Sequence, residues 1–144
     1  MIYLLRHGDA EQDAEDDASR RLTEKGERQA DIAGRALAAL AVKLDACLSS
    51  PKVRAEQTAR LACEHLDVEV EIAEQLRGGP FDAAELAAGR GEVMLVGHEP
   101  DFSGAVAVLT GGRIKLRKGG LAVIEDGLLH DLLRPKELRR IAGA

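Results

Sequence analysis

Three short runs in this chain of 144 residues, Ile2–Leu5, Leu44–Leu48 and Val93–Val96, read as strands, and each leads directly to an arginine or a histidine. Ile2–Leu5 and Val93–Val96 are apolar at every position, the pattern of a strand covered on both faces rather than wet on one. The first stops at Arg6-His7-Gly8 and the last at Gly97-His98. The second is followed by Ser49-Ser50-Pro51, an N-cap candidate with a proline at the first helical position, which places Arg54 on the opening turn of the next helix.

The intervening segments are helical in pattern. Thr23 can cap a helix with the apolar stripe Ala30, Ala33, Leu37 and Leu40, and the helix carrying Arg54 has Ala55, Ala59, Ala62 and Leu66 on one face. Val68–Ile72 alternates with Glu69 and Glu71, as a strand near an edge does. Phe81–Ala88 reads as a short helix, and Asp101 or Ser103 can open another that runs through Leu109. From Gly111 the pattern turns β-like, and Glu125-Asp126-Gly127 separates Leu121–Ile124 from Leu128–Leu132 as a hairpin turn would. Arg134–Ile141 reads as a closing helix. Strands alternating with helices predict an α/β fold with a mostly parallel sheet wrapped on both sides, and a chain of this length predicts a single domain over residues 1–144.

Parallel strands put their carboxyl ends on one edge of the sheet, where open α/β folds bind ligands. Arg6, His7, Arg54 and His98 are therefore expected to converge there. Two guanidinium forks and two imidazoles suit a tetrahedral dianion: the forks grip its oxygens and a ring nitrogen attacks its phosphorus. Gly8 allows close backbone approach after His7, and the helix N-termini add amide donors. Neighbouring cations should lower the His7 pKa and keep one ring nitrogen unprotonated, so that phosphoryl transfer passes through a phosphorylated His7. A zinc site built from the two histidines with Asp9 and Glu99 is the competing arrangement, but the flanking arginines oppose a divalent cation. No metal and no cofactor is expected.

Leu5-Arg6-His7-Gly8, the block Ser49-Ser50-Pro51-Lys52-Val53-Arg54-Ala55-Glu56-Gln57-Thr58, and Val96-Gly97-His98-Glu99-Pro100 together resemble the histidine phosphatase (phosphoglycerate mutase-like) superfamily. Arg6-His7-Gly8-Asp9-Ala10, the segment from Arg20 to Gly26 and the short length resemble its SixA-type phosphohistidine phosphatases. The resemblance implies a three-layer αβα sandwich, His7 as phosphoryl acceptor, and a phosphate pocket completed by Arg6, Arg54 and His98, with Arg20 as a further candidate for the phosphate or a partner. It matches the acid of larger members to Glu74. Those members also carry an asparagine shortly after Arg-His-Gly and long insertions over the pocket, whereas this chain contains no asparagine and has only some twenty residues between Ile72 and Val93. An unroofed pocket can admit a side chain of a folded protein. Transfer from a phosphohistidine to His7 exchanges one imidazole for another, so demand for an acid is low.

The resemblance thus implies a phosphatase acting on a phosphohistidine-bearing protein such as a phosphotransfer domain, releasing inorganic phosphate. The alternatives are a small-molecule phosphomonoesterase and an idle module that only binds phosphoproteins. Nucleic acid is not an expected partner, because Tyr3, Phe81 and Phe102 are the only aromatics and the net charge is −5. No run of eighteen apolar residues occurs, so no membrane is expected, and a cytoplasmic monomer is the simplest expectation. Cys47 and Cys63 read as buried thiols, and Glu11–Asp17 as a solvated acidic loop.

Overall fold

The computed structural model describes residues 1–144. Strands β1 (Ile2–Arg6), β2 (Ala46–Ser49), β3 (Val70–Ile72), β4 (Val93–Gly97), β5 (Leu121–Glu125) and β6 (Leu128–Leu133) form one sheet in the order β3-β2-β4-β1-β5-β6. The first four are parallel, β5 runs antiparallel to β1, and β6 pairs antiparallel with β5. The expected hairpin is present. Asp126 and Gly127 both take positive φ, 53° and 73°, as the two-residue turn that matches strand twist requires.

Helices α1 (Glu24–Ala39), α2 (Val53–Cys63), α3 (Ala83–Ala87), α4 (Asp101–Thr110) and α5 (Pro135–Ala142) complete the fold. Alternate residues of each central strand serve opposite cores. Tyr3, Leu5, Met94 and Val96 pack under Ala33, Leu37, Ala59 and Leu138 of α1, α2 and α5. Leu4, Val93 and Leu95 pack under Ala83, Phe102 and Val106 of α3 and α4. The result is the three-layer αβα sandwich. Cys47 and Cys63 lie side by side in the first core as buried free thiols.

Thr23 caps α1 by accepting from the Gly26 amide, as its sequence predicts. α2 departs from expectation: it begins at Val53 with Lys52 at the N-cap and no side-chain cap, while the Ser50 hydroxyl accepts from the Lys52 amide at 3.2 Å and meets His98 in the site described below. β2 begins later than expected, since Asp45 turns its carboxylate to the Glu92 amide.

Two glycines allow α1 to seat against the end of β1. A Cβ on Gly8 would lie 2.6 Å from the Gly26 carbonyl oxygen, and one on Gly26 would strike the Asp9 backbone. Backbone cannot move aside as a flexible side chain can. Gly26→Ala should therefore cost about 2 kcal/mol or more, the scale of overpacking a tight interior. Gly104, in the middle of α4 with nothing near its absent Cβ, should gain about 1 kcal/mol on replacement by alanine. Chemical denaturation of the two variants checks both signs, and equal effects would exclude the packing explanation.

Candidate active site

Strand register brings the site together. Arg6 pairs with Gly97 and Ser49 with Val96, so the chain leaves β1, β2 and β4 at one level of the sheet with β4 in the middle. His7 and His98 follow directly, their rings 5.2 Å apart and tilted by 55°, and α2 returns Arg54 over His7. His7, Arg54 and His98 are all buried despite their polarity.

Hydrogen bonding decides which nitrogen of His7 is free. Nδ1 lies 2.7 Å from the Gly8 carbonyl oxygen, which can only accept, so Nδ1 carries the proton. Nε2 of the neutral ring then holds a lone pair, and Arg54 Nε–H points at it from 3.4 Å. Burial is the main cause lowering the His7 pKa from 6.5 to about 4, with Arg54, Arg6 and Arg20 adding to it and the Gly8 bond opposing. Sequence reasoning named the cations; burial is the larger effect. His98 is lowered to about 3, first by burial and then by His7, Arg54 and Lys52.

The two histidines also set a pH dependence of stability. Both folded pKa values lie below the ordinary 6.5, so between pH 6.5 and about 4 the unfolded chain takes up protons that the folded chain refuses. Stability should fall as pH drops through that window. Urea midpoints measured from pH 7 to 4.5 should decline in the native protein and decline less in His98→Asn; identical slopes would refute the linkage.

Arg54 is held on three sides. Besides facing His7, its Nη1 donates to the Asp17 carbonyl oxygen at 2.7 Å and its Nη2 to Asp17 Oδ2 at 3.2 Å. Asp17 also binds Lys52 at 2.8 Å and Arg20 at 3.2 Å, and these cations hold its carboxyl well below the usual carboxylate range. The acidic stretch is therefore not all solvated loop. Its last residue braces the pocket, and a charge-run reading could not have singled it out.

Arg6 donates through Nη1 to the Leu116 carbonyl oxygen at 3.0 Å, and its Nε is buried without a partner. Glu99 fixes that loop, accepting from the Leu116 amide and from Ser103. His98 Nε2 meets Ser50 Oγ at 2.8 Å, and its Nδ1 is also buried and unpartnered. Orphaned buried polar atoms are rare and each costs free energy, so Arg6 Nε and His98 Nδ1 are unusual groups to find so close to the His7 ring. Thr58 ties the parts together, accepting from the Gly8 amide at 3.1 Å and donating to the Arg54 carbonyl at 2.8 Å. The Gly8 amide is thus spent on Thr58, and the close approach that Gly8 allows is filled by α1.

Arg20 lies near enough to influence His7, but its Nε and Nη1 are anchored on the Glu11 carbonyl and Asp17. Glu74 stands on a short 3-10 turn after β3, exposed and in a two-pronged pair with Arg77. It makes no hydrogen bond to the four pocket residues. Asp9 is bound by Thr23 and Lys118 rather than by either imidazole. Asp17, Thr58, Ser50 and the Leu116 carbonyl were not found from sequence. The motif block containing Ser50 and Thr58 was the one signal for any of them.

A sheet of this topology with a histidine and arginine pocket at its carboxyl edge defines a class of phosphoryl-transfer enzyme. Residues 2–98 match the family described as the histidine phosphatase superfamily (branch 1), and the chain belongs to it and is a phosphatase. An uncharacterized protein of Picosynechococcus is 34% identical over 140 residues, covering 88% of this chain and 85% of that one. The mitochondrial serine/threonine-protein phosphatase Pgam5 of Drosophila melanogaster is 36% identical over 70 residues, or 49% of this chain and 24% of Pgam5. The protein histidine phosphatase SixA, solved with tungstate, superposes with a TM-score of 0.82 at 26% identity, covering 95% of this chain and 98% of SixA. No helix is long and apolar enough to cross a membrane.

Proposed function

We propose that this phosphatase acts on phosphohistidine in proteins, with His7 Nε2 as the atom that accepts the phosphoryl group. The observation that carries this is the unprotonated Nε2, its state fixed by the Nδ1 bond to the Gly8 carbonyl and its lone pair held only by a long 3.4 Å contact from Arg54 Nε–H that an incoming phosphoryl group displaces. Nε2 attacks phosphorus in line, a new P–N bond forms, and the substrate's P–N bond breaks as its imidazole, already protonated on the other ring nitrogen, leaves as the neutral ring. Water then hydrolyses phospho-His7 and inorganic phosphate departs. Arg6 and Arg54 neutralise the charge that develops on the equatorial oxygens.

The carboxyls around the pocket support phosphohistidine over an ester. An ester's alkoxide needs a positioned acid, worth about 10²–10⁴-fold. Asp17 is held ionised, Glu99 is engaged by Ser103 and Leu116, and Glu74 is paired with Arg77. An imidazole leaving group makes little demand for such an acid. The likeness to SixA, a protein histidine phosphatase by name, supports the same reading.

The test is to incubate the protein with a histidine-phosphorylated protein and with a panel of phosphate esters. Turnover of the first, with an acid-labile phosphoryl group on the enzyme that is absent in His7→Asn, is expected. Glu74→Gln should leave that turnover unchanged within about threefold. Turnover of esters alone would make the protein a phosphomonoesterase, and retention of phosphoprotein without turnover would make it a binding module.

A further inference from the structure

Beside the phosphate pocket lies an open groove of about 890 Å³ between the start of α1, the loop before β5, and α5. Arg6 forms one wall, so the groove begins where the phosphate site ends. Its remaining charge is almost all positive. Lys25, Arg28, Lys115, Arg117 and Arg139 line it, and none makes an ion pair or a side-chain hydrogen bond. Lys118 pairs with Asp9, the only acidic side chain in the lining. In a chain with 25 acidic residues and 20 basic ones, five unpaired cations on one face are not explained by average composition.

The chemistry of the lining selects the occupant. Sites for small ligands are mostly apolar, with a few precisely placed polar groups, whereas two of the twelve residues here are hydrophobic and no aromatic ring is available to hold a base. The five cations are exposed and long, the kind that steers a charged partner and sets its register at an interface rim. They also reverse, locally, the repulsion that a net charge of −5 exerts on an acidic protein. We infer that this groove docks an acidic segment of the phosphorylated protein, whose carboxylates enter it while the phosphoryl group reaches His7. This inference rests on the protein-phosphohistidine reading above.

Two synthetic peptides test it, each with one phosphohistidine followed by a run of glutamates or of glutamines. The native protein should favour the glutamate peptide about tenfold in kcat/KM at low ionic strength, and lose the preference in about 0.5 M salt. The Arg28→Glu/Arg139→Glu double variant should lose it too while turning over the glutamine peptide as the native protein does. Arg28→Gln/Arg139→Gln, without reversed charge, should show a reduced preference. Equal use of both peptides by the native protein, or a preference that survives in both variants, would overturn the inference while leaving the phosphohistidine reading intact. A matching loss of glutamine-peptide turnover in both variants would also overturn it, by making these arginines part of the phosphate pocket.

If the native protein cleaves neither peptide, the phosphohistidine reading falls, and binding of the unphosphorylated glutamate peptide decides the groove. Binding weakened about tenfold in the charge-reversed variant sustains an acidic-segment site. Unweakened binding, or ready displacement by inorganic triphosphate at far lower concentration, overturns it.

Discussion

In a His7→Asn variant, turnover of phosphohistidine is expected to fall roughly 10⁴-fold or more, the scale seen when a covalent nucleophile is removed from a site that otherwise survives. Asparagine is neutral, like the His7 ring at pH 7, and its amide can still donate to the Gly8 carbonyl that now takes Nδ1–H. The cationic pocket and the strand ends around it stay in place. Affinity for inorganic phosphate should therefore change by no more than about threefold, a split between chemistry and binding that general unfolding cannot produce. Steady-state kinetics with phosphate titration and an unfolding curve would measure the three quantities. Residual turnover within tenfold of native would mean that phosphoryl transfer goes directly to water, with His7 as a bystander. The pH profile adds a second reading: with the free-pocket pKa near 4, the acid limb of kcat/KM should lie well below the ordinary histidine value of 6.5.

Arg54→Lys should cost about 10²–10³-fold, even though charge is retained. One planar guanidinium faces His7 Nε2 with its Nε while both other nitrogens are held by Asp17. An ammonium on a flexible stem has no fork to hold in this way. The loss should fall mainly on kcat, because the fork's alignment matters most when negative charge spreads over the phosphoryl oxygens. Asp17→Asn keeps the backbone contact to Nη1 and should lose much less than Arg54→Lys. Near-native kinetics in the lysine variant would show that Arg54 supplies charge alone and that the brace from Asp17 has no bearing on the chemistry.

The parts of the site that could be read from sequence are those attached covalently to strand ends. Arg6 ends β1, His7 and His98 directly follow β1 and β4, and parallel pairing leaves such residues little choice of location. Arg54 was legible because one helical turn after β2 reaches back over the same edge. Expectations slipped where a local signal competed with a distant partner. Ser50 and Pro51 look like a helix start, but the Ser50 hydroxyl is shared between the Lys52 amide and His98, 48 residues away, and α2 starts later. Glu11–Asp17 has the composition of a solvated loop, yet Asp17 meets Arg54 across 37 residues of sequence.

From sequence alone come the α/β class with its covered parallel strands and the four residues at the carboxyl edge, because apolar periodicity and covalent neighbours specify these. Tertiary structure decided which nitrogen of His7 is free, how far burial lowers its pKa, and what holds the two arginines. It also decided that the loop before β5 stands beside Arg6, since β5 enters the sheet antiparallel and so begins at the edge where β1 ends. The basic groove follows from that reversal. Its cations come from α1, that loop and α5, and only the assembled tertiary fold brings segments more than a hundred residues apart to one face, where their charges add.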